Sequence, residues 1–173
     1  MPLSRICRVV LSMLIVQGLL LAGTAMAQTQ KPACGPDHAI LYKRAVTLLD
    51  KAEKKLAAKY TAEAKSLLKE ANSLFTILLK ECGPQQKDRT LTSQEEQQET
   101  VNKKLAADEL AQAERLEKSA AEKLKKGEAA QGDLAVKYAR EAKGESEQAQ
   151  IRSIKAGIYS LRNQQMVFRF LAK

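Results

Sequence analysis

The chain has 173 residues, with 29 Lys and Arg against 20 Asp and Glu, a formal net charge of +9, one histidine, no tryptophan and only 4% aromatics. With so few aromatics, alanine and leucine must supply most of the core, which favours elongated helix pairs over a broad globule. A single histidine, His38, leaves histidine-based activation of a nucleophile with one available side chain.

Residues 1–27 read as a secretory signal. Arg5 and Arg8 precede an apolar run over residues 9–23, and Ala25-Met26-Ala27 supplies a small-x-small cleavage site before the polar Gln28-Thr29-Gln30. The run is shorter than the ~20 residues a helix needs to cross a bilayer. The expected mature protein therefore begins at Gln28, is soluble and is periplasmic or secreted. Cleavage removes Cys7 and leaves Cys34 and Cys82, an even pair in a compartment where disulfides persist. A Cys34–Cys82 bridge is expected.

Glycine and proline are absent from residues 37–82, and Cys34-Gly35-Pro36 and Cys82-Gly83-Pro84 punctuate the two ends. Apolar residues at Leu41, Ala45, Leu48, Leu49, Ala52 and Leu56, then at Ala64, Leu67, Leu68, Ala71, Leu74, Phe75 and Leu78, recur at steps of three and four, the period of an amphipathic helix. Periodicity alone leaves one helix or two. Lys59-Tyr60-Thr61 is the weakest helical stretch, with Thr61 as a candidate cap. A break there gives two arms of about 33 Å that bring the cysteines together, whereas one straight helix would hold them about 70 Å apart. The cysteines select the hairpin. Residues 56–64 are similar to the turn of tetratricopeptide-type hairpins but lack that family's glycine and tryptophan.

Residues 83–91 are a polar linker. Thr92 with Glu95 forms a capping box that opens the next helix, Ser93 with Glu96 being the alternative register. A stripe of Val101, Leu105, Leu110, Ala113, Leu116, Ala120 and Leu124 predicts a long Ala-rich helix ending near Lys126, stopped by Gly127. Asp133 is placed to cap a last helix through Ala135, Tyr138, Ala142, Ala149, Ile151, Ile154, Ile158 and Leu161. Gly144 and Gly157 lie inside it at about 1 kcal/mol each relative to alanine, so Gly144 is where it would break. Residues 92–173 thus form a second hairpin, and the fold class is all-α: two antiparallel helical hairpins, elongated or four-helix-bundle-like.

Chemistry is sparse. No Cys-x-x-Cys redox pair, phosphate loop or dinucleotide fingerprint is present, and the carboxylates alternate with lysines as surface i,i+4 pairs do. Cys34, His38 and Cys82, with Asp37, make an imaginable soft metal set, but their spacing is unlike that of structural metal sites, and the disulfide is the simpler reading. No cofactor, metal, small-molecule substrate or nucleic-acid partner is expected, and no enzymatic activity. Leu91-Thr92-Ser93-Gln94-Glu95 resembles the Leu-Thr-x-x-Gln motif of small helical periplasmic chaperones of the Spy and CpxP type, with Glu95 where that motif has glutamine. The resemblance implies an exported helical chaperone; the capping box accounts for the same residues.

One feature is asymmetric. Residues 150–173 hold Arg152, Lys155, Arg162, Arg169 and Lys173 and no acidic residue, the five falling on one helical stripe beside Ile151, Ile154, Ile158, Leu161 and Phe168. These five are the candidate partner-binding residues, facing a protein partner or an anionic envelope surface. Replacing Arg152, Lys155 and Arg162 by glutamine is expected to abolish such binding and leave stability nearly unchanged. The expected function is that of an exported, non-enzymatic helical interaction or scaffold protein of the cell envelope, the alternatives being a binder of anionic lipid or cell-wall polymer and a small periplasmic chaperone.

Overall fold

The computed structural model describes residues 34–86 and 91–172. The expected signal segment and its expected cleavage site, part of the linker, and Lys173 lie outside the described residues. The described chain is helical: α1 (Pro36–Ala57), α2 (Thr61–Gln86), α3 (Ser93–Ala129), α4 (Asp133–Val167) and a closing 3-10 turn (Arg169–Ala172). None of these helices is long and apolar enough to cross a membrane.

The turn between α1 and α2 falls where the helical pattern is weakest. Lys59 has φ 66°, and the amides of Lys59 and Tyr60 donate to the carbonyls of Leu56 and Lys55 at 3.0 and 2.9 Å. This is a Schellman motif with lysine in the left-handed position that glycine usually fills. The Tyr60 carbonyl accepts the first bond of α2 from Ala64 at 3.0 Å, so Tyr60, and not Thr61, precedes the helix. Lys55 bridges the turn, 2.6 Å from Glu63 and 4.9 Å above the Tyr60 ring.

At the open end of this hairpin Cys34 and Cys82 are bonded, their Cα atoms 5.3 Å apart. The expected end at Cys82 is corrected by four residues, because α2 continues through Gly83 and Pro84 to Gln86. Proline lacks the N–H that would reach four residues back, and the helix ends within the same turn.

Thr92 opens α3 through the expected capping box: its amide and hydroxyl donate to Glu95 Oε2 at 2.8 and 2.9 Å, and the Glu95 amide donates to Thr92 Oγ1 at 3.3 Å. Gly127 does not stop this helix, which runs on to Ala129. A Cβ on Gly127 would lie 3.3 Å from Tyr138 Cβ, so the missing side chain lets the two arms close on each other. The reversal is made by Gly132 at φ 60°, which also precedes α4 in the position expected of Asp133; Asp133 is the first helical residue.

Helix α4 passes Gly144 without a break. A Cβ there would meet nothing within 4 Å. Gly144→Ala should therefore stabilise the protein by about 1 kcal/mol, the difference in helix propensity. A thermal midpoint that fails to rise would show that the helix depends on glycine at this position.

The hairpins share one core. Tyr42, Ala45, Leu48 and Leu49 of α1 and Ala64, Ala71, Leu74, Phe75 and Leu78 of α2 enclose Ile154, Ile158, Leu161, Phe168 and Leu171 from the end of the chain. Gly157 lets α4 come close to α2, since a Cβ there would sit 2.7 Å from Leu68 Cδ2. The Tyr42 hydroxyl donates to the Gln165 carbonyl at 3.1 Å, and burial raises its pKa against the lowering pull of Arg169 and Arg162.

Candidate functional site

Two features carry the chemistry of this chain, the seam of the second hairpin and the stapled end of the first. The seam does not follow the leucines. Asn102, Ala106, Ala113 and Ala120 are the buried residues of α3, while Val101, Leu105, Leu110 and Leu124 are exposed. Opposite them Ala142, Ala149 and Ala156 are buried on α4. Ala106, Ala113 and Ala120 recur at seven, as do Ala142, Ala149 and Ala156. That is the spacing of an antiparallel coil whose apolar knobs are alanines.

Between the alanine levels lie polar ones. Asn102 Nδ2 donates to Asn163 Oδ1 at 2.8 Å, and Asn163 Nδ2 to the Glu99 carbonyl at 3.2 Å. Arg152 meets Glu109 at 3.0 Å, and Lys123 meets Glu145 at 2.6 Å and Glu141 at 3.4 Å. These pairs fix the register, because sliding one arm would leave partly buried charges unmatched. The hydrogen bond from Lys123 holds the Glu145 carboxyl below its ordinary value, and Glu145 in turn raises the Lys123 ammonium.

Of the five candidate partner-binding residues, the four described ones are not one outward stripe. Arg152 is in the seam. Arg162 points at α1, donating from Nε to Glu53 Oε1 at 2.9 Å and from Nη2 to Glu53 Oε2 at 2.6 Å and Asp50 Oδ1 at 2.8 Å. Burial opposes its charge, and the bonds to Glu53 and Asp50 outweigh that, leaving its pKa raised. Arg169 lies beyond α4, pairing with Glu95 and donating to the Met166 carbonyl at 2.9 Å. Lys155 is half-buried on α4. The expectation that neutralising this stripe leaves stability unchanged is therefore corrected: the acidic complement of the basic segment sits on α1 and α3. Arg162→Gln should cost about 1 kcal/mol, since it removes a forked charge-assisted contact to two carboxylates that are part-exposed and regain water. An unfolding midpoint equal to that of the parent chain would contradict this.

At the stapled end the structure brings together Cys34, His38 and Cys82, one ligand atom of each within 4.8 Å of the others. The fourth neighbour is Glu81 and not the exposed Asp37. His38 is buried; its Nδ1 accepts from the Gly35 amide at 3.1 Å, so the neutral ring carries its proton on Nε2, 2.8 Å from Glu81 Oε2. Nothing in the sequence pattern distinguished Glu81 from the other surface carboxylates.

The described chain is thus an all-α protein of two antiparallel hairpins, one stapled by a disulfide and one zipped by alanines. No protein-family profile, curated protein or solved structure matches it.

Proposed function

We propose that this is an exported, non-enzymatic scaffold or interaction protein of the cell envelope, presenting the alanine coil of α3 and α4 to a protein partner. The observation behind the reading is exposed apolar surface on the part of that coil away from the shared core: Leu124, Leu134 and Val136 are 52%, 50% and 57% exposed. The shared core draws its α4 residues from Ile154 onward, so the coil before it is built by two helices alone. Large apolar side chains held outward on a registered coil suit a helical partner face.

A photo-crosslinker placed at Val136 in the exporting cell tests this. A discrete adduct, lost when Leu124 and Leu134 are changed to serine and absent with the crosslinker at Lys118, is the expected result. Equal labelling at both positions would refute the reading.

A chaperone-like reading has one observation in its favour. An open groove of about 460 Å³ runs between α2 and α4, floored by Leu68, Ile154, Gly157 and Leu161 and rimmed by Lys65, Lys69 and Glu117. Suppression of aggregation of a denaturing client, lost in Leu68→Ser, would favour it over the scaffold. The anionic-surface reading draws less support, because Arg152, Arg162 and Arg169 are engaged within the fold.

A further inference from the structure

Two cysteine sulfurs and one imidazole nitrogen converge at the open end of the first hairpin, within 4.8 Å of one another. In the oxidised chain the sulfurs are bonded to each other. The histidine is nonetheless held as a ligand would be. Nδ1 faces Gly35, next in the chain to Cys34, while Nε2–H is directed at the Glu81 carboxylate at 2.8 Å. A carboxylate on the far ring nitrogen fixes tautomer and orientation and raises the basicity of the near one, as in carboxylate–histidine–metal triads.

We propose that reduction of the Cys34–Cys82 disulfide opens a metal site in which both thiolates and His38 Nδ1 bind one thiophilic d10 cation of the zinc(II) class, with Glu81 as the orienting carboxylate. This stands apart from the scaffold reading. The electrons come from a dithiol reductant, which exchanges with the disulfide: the Sγ–Sγ bond breaks, two thiols form, and the reductant becomes a disulfide. Metal binding then releases the two thiol protons to solvent. The cation displaces the Gly35 amide from Nδ1, and water completes the tetrahedron.

The movement required is small. Tetrahedral zinc with bonds of about 2.3 Å to sulfur spaces its two sulfurs about 3.8 Å apart. Cys82 is fixed within α2, whereas Cys34 precedes Pro36, the first residue of α1, so the opening falls on the chain before the helix. The hairpin would exchange a covalent staple for a coordinate one.

The test uses the full chain, reduced anaerobically with a phosphine and titrated with cobalt(II). One equivalent should bring up thiolate-to-cobalt charge-transfer bands and the d–d bands of a tetrahedral site, with zinc(II) then displacing the cobalt. The oxidised chain should show neither. Glu81→Gln should weaken zinc binding about 10- to 100-fold while leaving the donor atoms in place. His38→Ala should weaken it further and shift the d–d bands. Reading the two variants together separates loss of the site from loss of the fold, because Glu81→Gln keeps all three ligands. The proposal is overturned if the reduced parent chain gives no bands, if the oxidised chain binds equally, or if both variants bind as the parent does.

Discussion

Phe75→Ala should lower the stability of the protein by about 3–5 kcal/mol, the range for emptying a fully buried aromatic position. Phe75 is 0% exposed and meets the Tyr42 ring edge-on at 6.4 Å between centroids. It lies where α1, α2 and the end of α4 converge, so the cavity has walls on every side and little freedom to collapse. Denaturant unfolding followed by circular dichroism measures the loss. A cost below about 1 kcal/mol would mean that the two hairpins do not depend on a common core.

Replacing Cys34 and Cys82 together by alanine should cost about 4 kcal/mol, because the bridge closes a loop with a sequence separation of 48 and removes that freedom from the unfolded chain. The sequence alone suggests damage confined to the first hairpin. The shared core extends it: Phe168 and Leu171 pack against α1 and α2, so amide exchange should accelerate there as well as in residues 36–86. The alanine coil should stay protected. Superimposable melts of parent and variant would sink the prediction.

Acid should loosen the packing of α3 against α4. Hydrogen bonds hold Glu145 and Glu95 below the usual carboxylate range, so each contributes stability above its ordinary pKa and loses it as pH falls through the depressed folded value. The midpoint of the Lys123→Gln variant should therefore depend less on pH over that interval. An undiminished acid slope in that variant would remove Lys123 from the account.

The first hairpin was legible because leucines, alanines and one phenylalanine recur in its core at helical spacing and because two cysteines marked its ends. The second was legible as a pair of long helices and, at Ala113, Ala120, Ala142 and Ala149, in part of its seam, but Ala106 and Ala156 were missed and the leucines of the stripe were misplaced. Leu105, Leu110 and Leu124 look like core on any hydropathy scale, yet the helices close on Ala106, Ala113 and Ala120, whose small size permits the close approach. Hydropathy ranks side chains by transfer from water, and here the smallest Cβ wins because the backbones come nearest along it. Gly127 misled for the same reason: a residue that ends helices in isolation serves here as the place where two helices touch. The basic segment was visible as charge, while the direction of each arginine depended on Asp50, Glu53, Glu95 and Glu109, far away in sequence. His38 was singled out as a possible ligand, but its partner Glu81 emerges only once the hairpin closes.

The seven-residue spacing of the alanine coil makes the second hairpin a ruler. Each heptad adds about 10 Å at 1.5 Å per residue. Removing one heptad from each arm, residues 114–120 and 142–148, would join like positions to like positions and return the turn to the same azimuth. The shared core at the base would be untouched, the Lys123–Glu145 pair would be lost with the deleted heptad, and the tip would move toward the base. Whatever docks there would sit one graduation closer.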